Sequence, residues 1–389
     1  MKRDNKTISL PALESALAND QLVYYYQPKI SLVTGKPSGA EALLRWIEPD
    51  GTIIPPSEFI PLAEETGFIT KIACAMFPKL IADLLIINDI NDLLVISFNL
   101  TAQDFESPEM TDLIHGAILS SQLDPGRLQV ELTEASIIDG GKPIVRERLQ
   151  GLVGLGVTLA MDDFGTGYSS IDTLSQWPFK VIKLDRGMIR RMNDCPKSTA
   201  IVQSSIRMAH ALGINIIAEG IETVEIYNFL MQAGCTEAQG FWMAQPLPMA
   251  EFLTFIKKDQ RWSGLPVGLI HIAQLDHIHW RKTIIDQVVS NSFDEPGVGK
   301  VQRFTAEMDH TKCRLGQWIF GHGQEFKGQK AFDMLEEPHR RLHAIGKELI
   351  KAAERNAPHD EMAILLRKLT QVSSLLLGLL QELENQAVF

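Results

Sequence analysis

Cysteine is scarce in this chain. Cys74, Cys195, Cys235 and Cys313 are the only four in 389 residues, and their spacing does not read as a disulfide framework. That scarcity points to a reducing, cytoplasmic compartment. Basic residues are also short: 37 Lys and Arg stand against 48 Asp and Glu, a net charge of −11. Such a surface argues against holding a polymeric nucleic acid, though not against a small phosphate ligand bridged by metal ions. Long unbroken apolar runs are missing as well. "LIADLLIINDINDLLVISF" and "LLRKLTQVSSLLLGLLQ" are interrupted by Asp, Asn, Arg or Lys well short of a membrane span. The start, "MKRDNKTISLPALESAL", has no apolar core of signal-peptide length. A soluble protein with no membrane partner is expected.

What is present is an ordinary globular composition, 45% hydrophobic and 22% charged, in a chain long enough for two or three domains. From about residue 20 to 245, β-rich runs alternate with amphipathic stretches. The runs are "QLVYYYQPKI", "GAEALLRW", "LLVISFNL", "RLQVELTE", "TLAMDDFG", "VIKLDR", "INIIAEGIE" and "EAQGF". Strands alternating with helices in this number imply a TIM-like (β/α)8 barrel or a large doubly wound sheet, and strand count and length favour the barrel. "KKDQRWSGLPVG" then reads as a linker, and beyond it β-branched runs disappear. Helices are expected over 269–290, roughly 300–320, 328–356 and 359–386, together an all-α, four-helix-type bundle. The expected boundaries are 8–258 for the barrel, 259–268 for the linker and 269–389 for the bundle.

Each expected barrel strand ends in or contains a polar residue that apolar burial does not explain. These are Gln27, Glu41, Asn99, Glu131, Asp162 with Asp163, Lys183, Glu219 followed by Glu222, and Gln239. Strand C-termini of a barrel converge on one face. Carboxylates and an Asn carbonyl without a His or Cys cluster select hard cations such as Mg²⁺ or Mn²⁺. Clustered carboxylates are costly unless cations neutralise them. Two such ions activate water and steady both oxygens of an in-line phosphoryl displacement, so the residues alone point to a metal-dependent hydrolase of a phosphate ester.

The motifs "YQP", "GAEALLRW", "FNLT", "ELTE", "DDFGTGYSS", "IKLD", "AEGIET" and "QGF", in this order, resemble the EAL domain, the bacterial phosphodiesterase family that hydrolyses cyclic di-GMP. The resemblance implies that Glu41, Asn99, Glu131 and Asp162 are metal ligands and that Asp163 bridges or holds a second ion. It implies that Lys183 orients or polarises the attacking water, and that Glu219 completes the metal site or assists proton transfer. Arg45 suits a phosphate oxygen, because a guanidinium offers a planar fork of donors. Gln27 and Gln239, with Glu222, would contact the dinucleotide, and Glu134 would anchor the "DDFGTGYSS" loop that couples the metal site to a dimer interface. The glycines of that loop, Gly165 and Gly167, also suit a simple βα turn. Phe241 stands where Tyr is common and Thr101 where Ser is common; neither is an expected ligand.

In the C-terminal part, thiolates and imidazoles are ligands that Zn²⁺ takes in fours. "EPHRRLH" places His339 and His343 one turn apart on one helix face. Cys313 is expected on the second bundle helix and His277 on the first. "HIHW", "CRLGQW" and "HRRLH" together resemble the chemoreceptor zinc-binding domain (CZB). The resemblance implies a zinc site of His277, Cys313, His339 and His343. His310, three residues before Cys313, is the rival ligand, and His279 is expected to face elsewhere. The expected whole is a homodimeric cyclic di-GMP phosphodiesterase, needing Mg²⁺ or Mn²⁺ and regulated by zinc. Two alternatives stand beside it: a catalytically idle receptor of the dinucleotide, and an active enzyme whose bundle is only a structural zinc dimerisation module.

Overall fold

The computed structural model describes residues 8–120, 124–140, 142–165, 171–258, 260–262, 267–291, 306–355 and 357–388. Two compact units divide the chain: Met1–Leu230 with Cys235–Gly264, and Leu265–Phe389 with Met231–Gly234.

The first unit contains β1 (Leu22–Ser31), β2 (Pro37–Ile47), β3 (Ile53–Ile54), β4 (Val95–Leu100), β5 (Leu128–Thr133), β6 (Thr158–Phe164), β7 (Val181–Leu184), β8 (Asn215–Ala218), β9 (Glu237–Ala238) and β10 (Leu247–Pro248). β1 pairs with both β2 and β9, so β1, β2 and β4–β9 close into an eight-stranded barrel, with β3 and β10 as short additions. Helices such as Ile69–Asn88, Pro143–Gly154 and Pro196–Leu212 connect the parallel strands. This is the expected TIM-like architecture with one departure. No helix separates β1 from β2. They form an antiparallel hairpin, from Leu22↔Trp46 to Ile30↔Pro37, turning through Gly35 at φ 67°. A connection this short cannot make a parallel crossover, so β1 runs antiparallel to both neighbours.

Alternation along each strand decides what faces the barrel axis. One interior layer contains Ala160, Val181 and Ile217, a buried apolar cluster. Two residues further toward the strand C-termini, on the same side, stand Asp162, Lys183 and Glu219. The apolar floor and the polar layer above it therefore come from the same strands. Trp262, placed in the linker by the sequence, donates its backbone N–H to Gly35 O at 2.9 Å, and its ring lies against Phe255.

In the second unit, long helices Val267–Asn291, Glu336–Glu354 and His359–Val388 pack with the short helix Arg314–Phe320. Ile270, Ala273, His277, Trp280, Ile284 and Val288 form one buried stripe at three- and four-residue spacing. Leu365, Leu369, Val372, Leu376, Leu380 and Leu383 form another. By length and composition alone the last helix could cross a membrane over His359–Gln386; here that leucine stripe is buried in the bundle. Of the helix expected at 300–320, residues 300–305 lie outside the described residues and only Arg314–Phe320 is helical. Cys313 is consequently the N-cap of that helix, not a residue within it. The correction has a local cause: the Asp309 side chain accepts from the N–H and hydroxyl of Thr311, holding a turn that a helix through this segment could not keep.

Candidate active site and candidate metal centre

At the C-terminal end of the barrel strands, Lys183 Nζ is the hub of an ionic cluster. It lies 2.5 Å from Glu131 Oε2, 2.6 Å from Glu219 Oε1, 3.1 Å from Asp162 Oδ2 and 3.3 Å from Glu41 Oε2. Glu41, Glu131 and Asp162 offer oxygens all within 4.8 Å of one another. Asn99 Nδ2 donates to Glu41 Oε1 at 2.7 Å, and Gln239 Nε2 donates to Glu41 Oε2 at 2.7 Å and to Gln27 Oε1 at 3.0 Å. Eight of the polar positions singled out by the sequence, Glu41 included, thus meet in one cluster.

Burial makes this arrangement electrostatically tense. It pushes the carboxyls of Glu41, Asp162 and Glu219 up from their ordinary values, with neighbouring acids adding to the shift. Glu131 goes the other way: burial opposes its charge, but the ammonium groups of Lys183 and Lys29 outweigh it and hold the carboxyl well below the usual range. Lys183 is likewise penalised by burial, yet Glu131, Glu219, Glu41 and Asp162 keep its ammonium firmly protonated. Two lysines offset only part of the charge of four carboxylates. That excess, on oxygen donors alone, fits divalent hard cations.

Asp163 is exposed, with φ 57°, the left-handed region that a non-glycine residue rarely enters. Its N–H donates to Asp162 Oδ1 at 2.8 Å, fixing that neighbouring carboxylate in the cluster. Arg45 lies on the same side of β2 as Glu41, its guanidinium over the Tyr25 ring and bonded to Leu44 O at 2.7 Å. Glu222 is at the rim, paired with Arg186 at 2.7 Å. A cleft of about 310 Å³ opens over the cluster, and Gln27, Glu41, Arg45, Asp162, Glu219 and Gln239 line it. Glu134, the first residue after β5, is buried but does not line this cleft. The loop it was expected to anchor runs through 166–170, which includes Gly167 and lies outside the described residues.

The sequence reading missed the floor of the site. Lys29, Ser97 and Gln129 are buried beneath Glu131, and Lys29 Nζ donates to Glu131 Oε1 at 2.8 Å and to Ser97 Oγ at 2.6 Å. Period-two spacing was the available signal: Lys29 follows Gln27, and Gln129 precedes Glu131, by two residues each. Arg186 at the rim was also missed.

In the bundle, Cys313, His339 and His343 bring ligand atoms within 4.8 Å of one another, all buried. Cys313 Sγ lies 3.2 Å from His339 Nε2 and accepts from Gly316 N–H at 3.3 Å. His339 Nδ1 is buried without a hydrogen-bond partner among the described residues. Burial lowers the imidazoles to about 3 for His339 and about 4 for His343, so both are neutral, the form that binds metal. It pushes the Cys313 thiol up to about 11. This buried set of one sulfur and two neutral imidazoles fits Zn²⁺. His277 lines the same cavity of about 230 Å³, but its Nε2 is 2.8 Å from Ser373 Oγ and it stands outside the three-residue cluster. The His310 ring is also near, 6.1 Å from His339 and 6.4 Å from His343. His279, expected to face elsewhere, is exposed but lines the cavity too.

Residues 11–246 match the EAL domain family and residues 277–350 the chemoreceptor zinc-binding domain family. The signaling protein YkoW of Bacillus subtilis is 37% identical over 244 residues, 63% of this chain and 30% of YkoW. The cyclic di-GMP phosphodiesterase RocR of Pseudomonas aeruginosa is 33% identical over 258 residues, 66% of each chain. Among solved structures, the PaMucR phosphodiesterase in complex with c-di-GMP superposes with a TM-score of 0.59 at 34% identity, covering 62% of this chain and 98% of that one. This chain belongs to the EAL domain family and carries a CZB segment after the barrel. It spans about a third of the length of YkoW and about two thirds of RocR.

Proposed function

We propose that the barrel is a cyclic di-GMP phosphodiesterase that opens one of the two phosphodiester links to give linear pGpG. The observation that carries this reading is the convergence of Glu41, Glu131, Asp162 and Glu219 on Lys183, beneath a cleft lined by Arg45, Gln27 and Gln239. Glu41, Asn99, Glu131, Asp162, Asp163 and Glu219 would hold two Mg²⁺ or Mn²⁺ ions, which supply charge neutralisation and an acidified water when bound. The chain's own groups do the rest. Lys183 Nζ keeps a positive charge where water and phosphate meet, and Glu219 Oε1, 2.6 Å from it, can exchange a proton with the reacting oxygens. Arg45 offers a forked donor to a phosphate oxygen, and the amides of Gln27 and Gln239 orient the dinucleotide. The water oxygen bonds to phosphorus as the opposite P–O bond breaks; the water gives up a proton through Glu219, and the leaving oxygen takes one up, so that no net proton is lost in the displacement.

The bundle is read as a zinc-binding regulatory domain using Cys313, His339, His343 and a fourth ligand, His277 before His310. The assembly is read as a cytoplasmic, soluble homodimer without a polymeric nucleic acid or membrane partner, in keeping with the −11 charge. The test is chromatographic assay of cyclic di-GMP with Mg²⁺ or Mn²⁺. Wild type should yield pGpG, and Glu41→Ala should yield none while its circular dichroism stays unchanged. Binding without turnover by the wild type would favour the idle-receptor reading instead.

A further inference from the structure

A lysine in the interior of a barrel needs an explanation that packing does not give. Interior layers of such barrels are filled by apolar side chains, and Ala160, Val181 and Ile217 do this here. Lys29 nevertheless points into the interior of the same barrel at 2% exposure. An ammonium buried this deeply is strongly unfavourable unless it is paired and hydrogen-bonded. Its two partners are Glu131 Oε1 at 2.8 Å and Ser97 Oγ at 2.6 Å.

The consequence falls on Glu131, which has no exposed surface. Its Oε1 accepts from Lys29 and from Gln129 Nε2 at 3.2 Å, both on the floor side. Its Oε2 is the oxygen that accepts from Lys183. With Oε1 tied down by a side chain on β1 and another on β5, the carboxylate cannot swing about its terminal torsion. One oxygen is committed to the floor and the other to the cluster.

We propose that Lys29 is a positioning residue for the divalent-cation site: supported by Ser97 and Gln129, it fixes Glu131 so that Oε2 is presented to the metal as a single-oxygen ligand. The proposal rests on reading the carboxylate cluster as a metal centre. Outer groups that orient a ligand typically contribute about 10–100-fold in metal affinity or activity. Without Lys29, Glu131 keeps a buried charge with only the neutral Gln129 amide below it, and it either turns or takes up a proton. Either outcome withdraws Oε2 from the site.

The experiment uses the full chain and two readouts. Mn²⁺ affinity without substrate is read from the electron paramagnetic resonance signal of the free ion, and turnover gives kcat and KM for cyclic di-GMP. Lys29→Met should weaken Mn²⁺ binding by about 10–100-fold and lower kcat comparably, with KM nearly unchanged. Lys29→Arg should recover part of the affinity, a rescue that a purely structural role would not produce. If Lys29→Met does not fold, Ser97→Ala and Gln129→Leu decide the matter, each expected to weaken Mn²⁺ binding several-fold. Wild-type Mn²⁺ affinity in folded Lys29→Met, or in both of the milder variants, overturns the assignment. A wild-type protein that binds Mn²⁺ but does not hydrolyse the dinucleotide would overturn the phosphodiesterase reading, and the Mn²⁺ titrations would still judge Lys29.

Discussion

A methyl group on Gly316 would sit 1.9 Å from the carbonyl oxygen of His310, so the glycine of "CRLGQW" is required by contact with backbone. The Gly316 N–H also donates to Cys313 Sγ, and the same residue therefore seats the loop and aims the sulfur. Gly316→Ala must move the 309–313 turn, which should cost about 1–3 kcal/mol, as overpacking elsewhere does. Melting temperature and zinc affinity, measured by competition with a chelator, should fall together; a loss of neither would show that the turn is not needed to hold the thiol. Residue type in the sequence was enough to single out Glu41, Glu131, Asp162, Lys183 and Glu219. It was not enough for Lys29, because a charged side chain next to a proline in a strand reads as solvated until the barrel closes over it.

The helix His359–Val388 shows what an element can hide. Its periodic leucines announce a buried face, and Ser373 interrupts that face with complete burial. A lone serine among leucines carries no functional signal. Only the packing of the bundle brings it to His277 Nε2. Ser373→Ala removes that partner and frees the ring for the cluster of Cys313, His339 and His343. Zinc binding should tighten by roughly fivefold, the equivalent of about 1 kcal/mol for one hydrogen bond given up. Weaker binding in the variant would show instead that Ser373 orients the imidazole as an outer partner. The β1–β2 hairpin carries the same lesson on the barrel side. Strand positions were legible, but the direction of β1 follows from the short turn at Gly35.

For the molecule as a whole, zinc occupancy and hydrolysis should be coupled. Comparing wild type with Cys313→Ala while zinc is titrated against a chelator that spares Mg²⁺ should give a zinc-dependent rate in the wild type that is blunted in the variant. Equal rates throughout in both proteins would leave the bundle a structural module. Homodimerisation is expected on the apolar surface that the last helix leaves over, including exposed Ile364 and Leu375. Light scattering at micromolar concentration with zinc present should return twice the monomer mass; a monomer under those conditions removes the dimer from the proposal.

Periodicity and residue chemistry alone determined the order of the strands along the chain, the helical nature of the last third, and which side chains could not be ordinary core. Those features are local: alternation of two, repeats of three and four, and acids or histidines placed where apolar residues belong. Closure of the barrel was decided elsewhere, by β1 pairing with both β2 and β9. So were the commitment of the two Glu131 oxygens to opposite sides and the hold of Ser373 on His277. Each depends on groups far apart in the chain: His277 and Ser373 are 96 residues apart, Lys29 and Glu131 are 102 apart, and Ile30 and Ala238, which pair to close the barrel, lie further apart still. The net attraction between such groups exists only once water has been excluded from between them, and that is a property of the folded interior.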